Sequence, residues 1–239
     1  MSGEVFVEPQ MLQKLAEKSI TKEKLSKTVA ANFELLPEVL SGVSSPKAAV
    51  RYGCGSVLAD LSAKYPEKLY PHMDAFIALL DSKYRILKWN AMAVIANLCS
   101  VDTDKKFDAV FGKYYGFLND EYLVTVVNVV ANSGKITIAK PYLIPKITNE
   151  LLKVENISTT PHLTEECKLV IAEQAIKSFN MFFDKMEPEE KTKVLSFVKR
   201  CLKSPRKTLT AEAEAFLKLW GGKFFVFQKF SQIDSEQRL

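Results

Sequence analysis

The sequence predicts an all-α protein, a right-handed superhelix of stacked helical hairpins, and three observations support this prediction. The chain has 239 residues but only nine glycines, and it is rich in Ala, Leu, Lys and Glu, which favour helix over sheet. Apolar residues recur with helical spacing along most of the chain. Similar stretches return every 35 to 37 residues, which indicates a helical repeat.

The repeat is clearest in three aligned segments. Residues 49–61 read A-V-R-Y-G-C-G-S-V-L-A-D-L, and residues 86–98 read I-L-K-W-N-A-M-A-V-I-A-N-L. A third copy, residues 121–133, reads E-Y-L-V-T-V-V-N-V-V-A-N-S. Three positions keep their chemistry, namely Arg51 with Lys88, Tyr52 with Trp89, and Asp60 with Asn97 and Asn132. We expect each segment to be the second helix of a hairpin.

The predicted organisation is one domain in three parts. Residues 1–31 contain one or two lysine-rich amphipathic helices that cap the stack, and residues 32–220 form about five hairpins. Gly221-Gly222 resembles a helix stop. Residues 221–239 include the run K-F-F-V-F-Q-K-F, which would favour aggregation if exposed. We expect this tail to pack on the last hairpin, with a dimer contact as the alternative.

Apolar stripes define both helices of each hairpin. In the second hairpin, for example, the first helix carries Leu69, Met73, Phe76 and Leu80, and the second carries Leu87, Ala91, Val94 and Leu98. Prolines lie at or beside the expected helix starts, where a missing N–H costs little; they are Pro46, Pro66, Pro188 and Pro205. Residues 154–164 read as an irregular loop, and Thr164 followed by two glutamates suits a helix start.

The pattern Leu79-Leu80-Asp81, then Leu87-Lys88 and A-x-A-V-I-A-N-L, resembles HEAT repeats and their armadillo relatives. The resemblance covers roughly residues 32–220 and is strongest between 46 and 133. It implies a stacked solenoid with a broad concave surface lined by the second helices. Such a surface is suited to binding a large partner, so the function implied is that of a protein-interaction scaffold.

Trp89 and Tyr52 are the first candidates for partner binding. On a helical projection, Trp89 points nearly opposite the apolar stripe of its own helix, and Tyr52 does so in the preceding copy. Tryptophan and tyrosine are frequent anchors in interfaces. The alternative is that these rings pack on neighbouring helices within the stack.

Asp60, Asn97 and Asn132 form a polar series, with one member per repeat. In the armadillo proteins that this chain resembles, an asparagine at a similar position holds the backbone of an extended peptide, which implies the same role here. Those proteins often place a tryptophan one turn before that asparagine, whereas this chain has Ala93. The alternative is a structural ladder in which these side chains satisfy groups of adjoining elements.

Arg51, Arg85 and Lys88 cluster with aromatic residues near the starts of two second helices. Cations that meet phosphates beside rings available for stacking suggest a nucleic-acid surface. Protein or extended peptide is the preferred partner class, and nucleic acid is the alternative. The net charge of +5 does not distinguish a protein partner from a nucleic-acid partner.

Enzyme chemistry finds little support in the sequence. HEAT-like glycosylases need a carboxylate one turn after a tryptophan, and Ala93 occupies that place. The motifs GxSxG and HExxH are absent, and His72 and His162 have no metal ligand at suitable spacing. We expect no catalytic residue, metal or cofactor. Four widely spaced cysteines and no apolar run long enough for a membrane predict a cytoplasmic protein.

Overall fold

The computed structural model describes the backbone of residues 10–236 and the side chains of residues 10–222. The described backbone is helical apart from its connecting segments and an isolated bridge between Thr160 and Leu163. The prediction of an all-α protein is confirmed. The chain divides into two compact units, Met1–Tyr114 (unit 1) and Tyr115–Leu239 (unit 2). The sequence predicts a single array, and the division falls inside its third hairpin.

Unit 1 begins with two short helices and continues as hairpins. Its helices are α1 (Gln10–Ala16), α2 (Lys22–Ala31), α3 (Leu36–Gly42), α4 (Ala48–Lys64), α5 (Pro66–Leu69), α6 (Met73–Leu79), α7 (Arg85–Leu98) and, as far as Tyr114, α8 (Lys106–Gly116). Helix α4 packs between α2 and α7, so the second helices are direct neighbours. The predicted amino-terminal cap therefore supplies α2 as a neighbour for the first repeated helix.

The core of unit 1 follows the apolar stripes. The predicted core residues of α4 and α7 are all buried; they are Val50, Cys54, Val57, Leu61, Leu87, Ala91, Val94 and Leu98. The preceding helices bury Leu69, Met73, Phe76 and Leu80 against them. A single hairpin exposes one side of such a stripe, so stacking is what removes this apolar area from water.

Unit 2 has the same alternation of shorter first helices and longer second helices. Its helices are α9 (Leu123–Ala139), α10 (Ile144–Leu152), α11 (Glu165–Asn180), α12 (Pro188–Cys201) and α13 (Lys207–Glu236). Helix α11 packs between α9 and α13. The core between them contains Phe179, Phe182 and Phe197, each fully buried.

Local chemistry explains where the helices of unit 2 begin. The predicted start at Thr164 is confirmed, since its side-chain oxygen accepts the backbone N–H of Cys167 at 3.4 Å. Before α12, the backbone N–H of Glu187 donates to Glu190 Oε2 at 2.8 Å, which forms part of a capping box.

The predicted helix stop at Gly221-Gly222 is wrong. Helix α13 continues through both glycines to Glu236. Neither glycine adopts the positive φ through which glycine ends a helix. Without that conformation, a glycine only weakens a helix, by about 1 kcal/mol. The predicted packing of the phenylalanine-rich tail lies outside the described side chains.

Candidate functional site

The exposed side of α4 and α7 in unit 1 carries most of the predicted binding residues. Residues three and four apart share one side of a helix, opposite the buried stripe. We call this surface the unit 1 face; it consists of Tyr52, Ser56 and Asp60 on α4 and Arg85, Ile86, Trp89, Ala93 and Asn97 on α7. Ile86 is an exposed apolar residue at 41% accessibility, and Arg85 beside it is also exposed.

Trp89 and Tyr52 are both half-buried. The ring of Tyr52 meets the ring of Tyr84 edge to face, with centroids 6.3 Å apart. Each side chain therefore combines packing inside unit 1 with a surface that a partner could contact. Half-burial leaves both alternatives for these rings open, namely contact with a partner and packing on neighbouring helices.

Arg51 is buried, and the prediction that it binds phosphate is wrong. Only 6% of the residue is accessible, and Nη1 donates to the carbonyl oxygens of Ser45 at 2.8 Å and Pro46 at 3.2 Å. Its guanidinium carbon lies 3.8 Å from the Tyr84 ring centroid and 4.8 Å from that of Tyr52. Arg51 thus fixes the turn before α4 and stacks with two tyrosines. Of the three predicted phosphate ligands, Arg85 is exposed and Lys88 is half-buried.

Asp60 connects α4 to α2, and Asn97 connects α7 to α4. The carboxylate of Asp60 accepts a hydrogen bond from Ser26 Oγ of α2 and pairs with Lys64 at 2.8 Å. These bonds, from Lys64 first and Ser26 second, lower the pKa of Asp60. On α7, Asn97 Nδ2 donates to Ser62 Oγ of α4 at 3.0 Å. Both side chains thus have the contacts of the structural ladder, although both remain half-buried.

Asn132 is buried at 6% accessibility, and the prediction that it contacts a partner is wrong. Its Nδ2 donates to the carbonyl oxygen of Asn128, one turn earlier in α9, at 2.8 Å. The link between α9 and α11 comes from Ser178 instead, whose Oγ donates to the carbonyl oxygen of Val130 at 2.5 Å. Equivalent positions in the alignment therefore differ between the units in both burial and bonding.

Unit 2 carries a row of exposed apolar residues that the sequence pattern does not predict. Its members are accessible by about half; they are Val124 (44%), Ile138 (48%), Tyr142 (55%) and Met181 (43%). Helix α9 is apolar on most sides, so periodicity did not separate its outward valines and isoleucines from its core residues. Residue exposure identifies the row.

A cavity of about 260 Å³ lies among α11, α12 and α13 of unit 2. Its apolar lining includes Leu169, Phe197 and Cys201. At the rim, Arg200 forms two hydrogen bonds with Glu155, at 2.8 and 2.7 Å. Burial is the main cause that raises the pKa of Cys201 to about 11, which keeps this thiol protonated and a poor nucleophile near neutral pH.

The described part of the chain has no metal-binding cluster and no membrane-spanning helix. Between residues 10 and 222, no cluster of three or more His, Cys, Asp or Glu side chains could hold a metal ion. Among the helices described, none combines the length and apolar character that a membrane crossing requires.

Comparison with solved structures gives the fold. Two designed armadillo repeat proteins superpose with TM-scores of 0.53 and 0.54, at 18% and 16% identity. The first match covers 89% of this chain and 99% of that protein, and the second covers 88% and 98%. The fold is an armadillo/HEAT-like helical repeat. An engineered protein also matches, with a TM-score of 0.50, 14% identity and 87% coverage of both chains. A scan against protein-family models and a search of curated proteins gave no match.

The comparison confirms the fold class that the sequence predicts, an all-α solenoid. The second designed protein was solved in complex with the peptide (KR)4. Sequence identity at this level supports the fold alone, so the binding residues of this chain have to be argued from its own surface.

Proposed function

We propose that the protein is a non-catalytic protein-interaction scaffold that binds a partner protein or extended peptide on the unit 1 face. One observation carries the proposal, the row along α7 in which exposed Arg85 and Ile86 precede half-buried Trp89. An aromatic ring with an apolar and a cationic neighbour, all on a rigid helix, is typical of an interface anchor. The fold supports it as well, since a solved protein of this fold carries a bound peptide.

The residues of the unit 1 face contribute unequally to the proposed interface. Trp89 and Tyr52 offer apolar ring surface, and exposed Arg85 offers a guanidinium group. Asp60 already pairs with Lys64 and accepts from Ser26, so its charge is largely compensated within unit 1. Asn97 contributes less, because its amide donates to Ser62.

The proposed scaffold acts in the cytoplasm and needs no cofactor. None of the four cysteines forms a disulfide, and three of them are buried. Buried reduced cysteines are typical small core residues of proteins in a reducing compartment.

Affinity purification from the native source tests the proposal. Tagged wild-type protein, Trp89→Ala and the control Leu202→Ala are compared by quantitative mass spectrometry. Leu202 is an exposed apolar residue, at 39%, that follows α12 in unit 2. We expect one or more proteins to be recovered with the wild type and the control, and at least about tenfold less with Trp89→Ala, as for an interface hot spot.

Thermal unfolding of the same variants is the accompanying control. The Tm of Trp89→Ala should stay within a few degrees of the wild-type value. Trp89 is only half-buried, so the substitution removes little buried apolar area. A partner retained by Trp89→Ala contradicts the proposal, and so does a large loss of Tm, which would make Trp89 a core residue.

A retardation assay with duplex DNA and RNA tests the nucleic-acid alternative. We expect no specific shift, because Arg51, one of the three predicted phosphate ligands, is buried. A shift that weakens steeply with salt and disappears in Arg85→Ala/Lys88→Ala would instead assign the unit 1 face to nucleic acid.

A further inference from the structure

The cavity of about 260 Å³ in unit 2 lies between the fourth and fifth hairpins. Helices α11, α12 and α13 form its walls, together with the turn at Lys153–Asn156 and the connection between α12 and α13. Sites for drug-sized ligands enclose about 300 to 1,000 Å³, so this volume suits a smaller molecule. At about 30 Å³ for each water-sized group, the cavity has room for a ligand of about ten non-hydrogen atoms.

The floor of the cavity is apolar. Phe197 of α12 and Leu209 of α13 are buried in this floor. Leu169 and Ala172 of α11 also line the cavity, but both are only half-buried. An apolar group that fills the cavity removes their exposed surface from water, which is favourable. Cavities with apolar linings bind small apolar molecules for the same reason.

The charges on the lining leave one cation over. Among the residues that the structure describes, five charged ones line the cavity, and four of them are paired with each other. Arg200 binds the carboxylate of Glu155 through two hydrogen bonds, and Lys168 pairs with Glu165 at 3.2 Å. The fifth is exposed Lys203, whose side chain bonds to no described residue. One positive charge on the lining is therefore without a counter-charge.

Two further carboxylates on α11 are also matched by cations. Glu166 and Glu173 both bond to Arg206, and Glu173 also pairs with Lys177 at 2.7 Å. Neither carboxylate is left to neutralise the cavity. Cys201 lines the cavity as a neutral thiol, because burial raises its pKa to about 11. The excess positive charge at the cavity is therefore that of one lysine.

The hydrogen-bonding groups that remain at the rim are donors. Ser204 is half-buried, lines the cavity and accepts the backbone N–H of Arg206 at 3.1 Å. No described residue accepts from its own O–H, which is left to donate. The ammonium group of Lys203 adds three donors and no acceptor. A carboxylate accepts from both kinds of donor and carries one negative charge, so it complements this rim.

We infer that the cavity binds a small monocarboxylate with an apolar body of about eight carbons. The apolar body lies on Leu169, Ala172 and Phe197. The carboxylate lies at the rim, where it accepts hydrogen bonds from Lys203 and Ser204. This site shares no residue with the unit 1 face, so it goes beyond the proposed scaffold function and can be tested separately.

Isothermal titration calorimetry of the full chain with octanoate, a linear monocarboxylate of the required size, tests the inference. We expect saturable binding with a dissociation constant on the order of 0.1 to 1 mM, as for a ligand of this size. Octanol and octylamine keep the apolar chain but lack the negative charge. Both should bind at least about fivefold more weakly than octanoate.

Two lysine variants test the position of the carboxylate. Lys203→Gln should weaken octanoate binding about fivefold or more, because it removes the unpaired charge at the rim. The matched control is Lys207→Gln, which removes the same charge from an exposed residue that does not line the cavity. This control should bind octanoate like the wild type.

A third variant, Ala172→Leu, tests the position of the apolar body. The larger side chain fills part of the cavity, so octanoate binding should fall at least about tenfold. Circular dichroism should give this variant a Tm within a few degrees of the wild-type value, because leucine is a good helix former and position 172 is half-buried. Trp89→Ala should bind octanoate normally, which keeps the result independent of the proposed function.

Several outcomes overturn the inference. Equal binding of octanol and octanoate would remove the carboxylate from the ligand class. Equal losses in Lys203→Gln and Lys207→Gln would remove Lys203 as its partner. Unchanged binding by Ala172→Leu would place octanoate elsewhere on the chain, and absence of saturable octanoate binding by the wild type would overturn the inference outright.

Discussion

The two units use the same positions of the helical repeat in different ways. In unit 1, Asp60 and Asn97 bond to serines of the adjacent helices α2 and α4, respectively. In unit 2, Asn132 bonds to its own helix, and Ser178 reaches a backbone carbonyl of its neighbour. The outward surfaces differ as well, with polar and aromatic residues on unit 1 and aliphatic residues on α9. A shared fold therefore fixes where a side chain lies but leaves its bonding partner to local sequence.

The comparison is most easily broken at Arg51, the buried arginine that fixes the turn before α4 in unit 1. Arg51→Ala removes two charge-assisted hydrogen bonds and two contacts with tyrosine rings. We expect a loss of about 3 kcal/mol in the free energy of unfolding, measured with urea. The control Arg85→Ala changes an exposed arginine and should cost at most about 0.5 kcal/mol. Similar losses in the two variants would contradict the structural role of Arg51.

Unit 2 joins α11 to α13 through a charged group, Glu173, and this junction should respond to acid. Burial alone would raise the pKa of Glu173, but bonds from Lys177, Thr208 and Arg206 outweigh it and lower the pKa to about 2. The stabilisation is complete above the unfolded-state value of about 4.3 and is lost as pH falls through about 2.

Glu173→Gln should cost about 1–2 kcal/mol near neutral pH, after allowance for the partly exposed lysine partner. Unfolding followed by circular dichroism at a series of pH values measures the difference from the wild type. The difference should shrink toward zero by about pH 2. A difference independent of pH would show that Glu173 acts by packing alone.

The smallest predicted effect concerns the ladder itself. A double-mutant cycle of Asn97→Ala and Ser62→Ala should give a coupling energy of about 0.5–1 kcal/mol, because their side chains bond to each other. The matched cycle of Asn132→Ala and Ser178→Ala should give little coupling, since each side chain bonds to a backbone carbonyl. Equal coupling in the two cycles would remove the distinction between the units.

Most of the fold could be predicted because burial in a helical repeat is periodic. The stripe of Leu87, Ala91, Val94 and Leu98 is spaced like one side of a helix, and all four residues are buried. Thr164 similarly has the local sequence of a helix start. The helix end predicted at Gly221 is wrong, because glycine ends a helix by adopting a positive φ. The sequence does not specify this conformation, and Gly221 does not adopt it.

The candidate surfaces were harder to predict because charge and polarity do not reveal burial. Arg51 aligns with Lys88, yet its guanidinium is buried. It donates to the carbonyl oxygen of Ser45 and stacks on the ring of Tyr84, two contacts that the alignment does not reveal. Asn132 aligns with Asn97, but its nearest acceptor lies in its own helix. Residues 123–131 of α9 contain one leucine and five valines, too many for a pattern to mark the exposed ones.

Asp102 couples the unfolding of the second hairpin of unit 1 to that of α8. This carboxylate is 8% accessible and accepts from Tyr70 Oη and from the backbone N–H groups of Lys106 and Phe107, at 2.9 to 3.0 Å. If either neighbour unfolds alone, the buried carboxylate loses at least one of these hydrogen bonds, which is costly. The second hairpin and α8 should therefore lose protection from amide hydrogen exchange together, as one cooperative block.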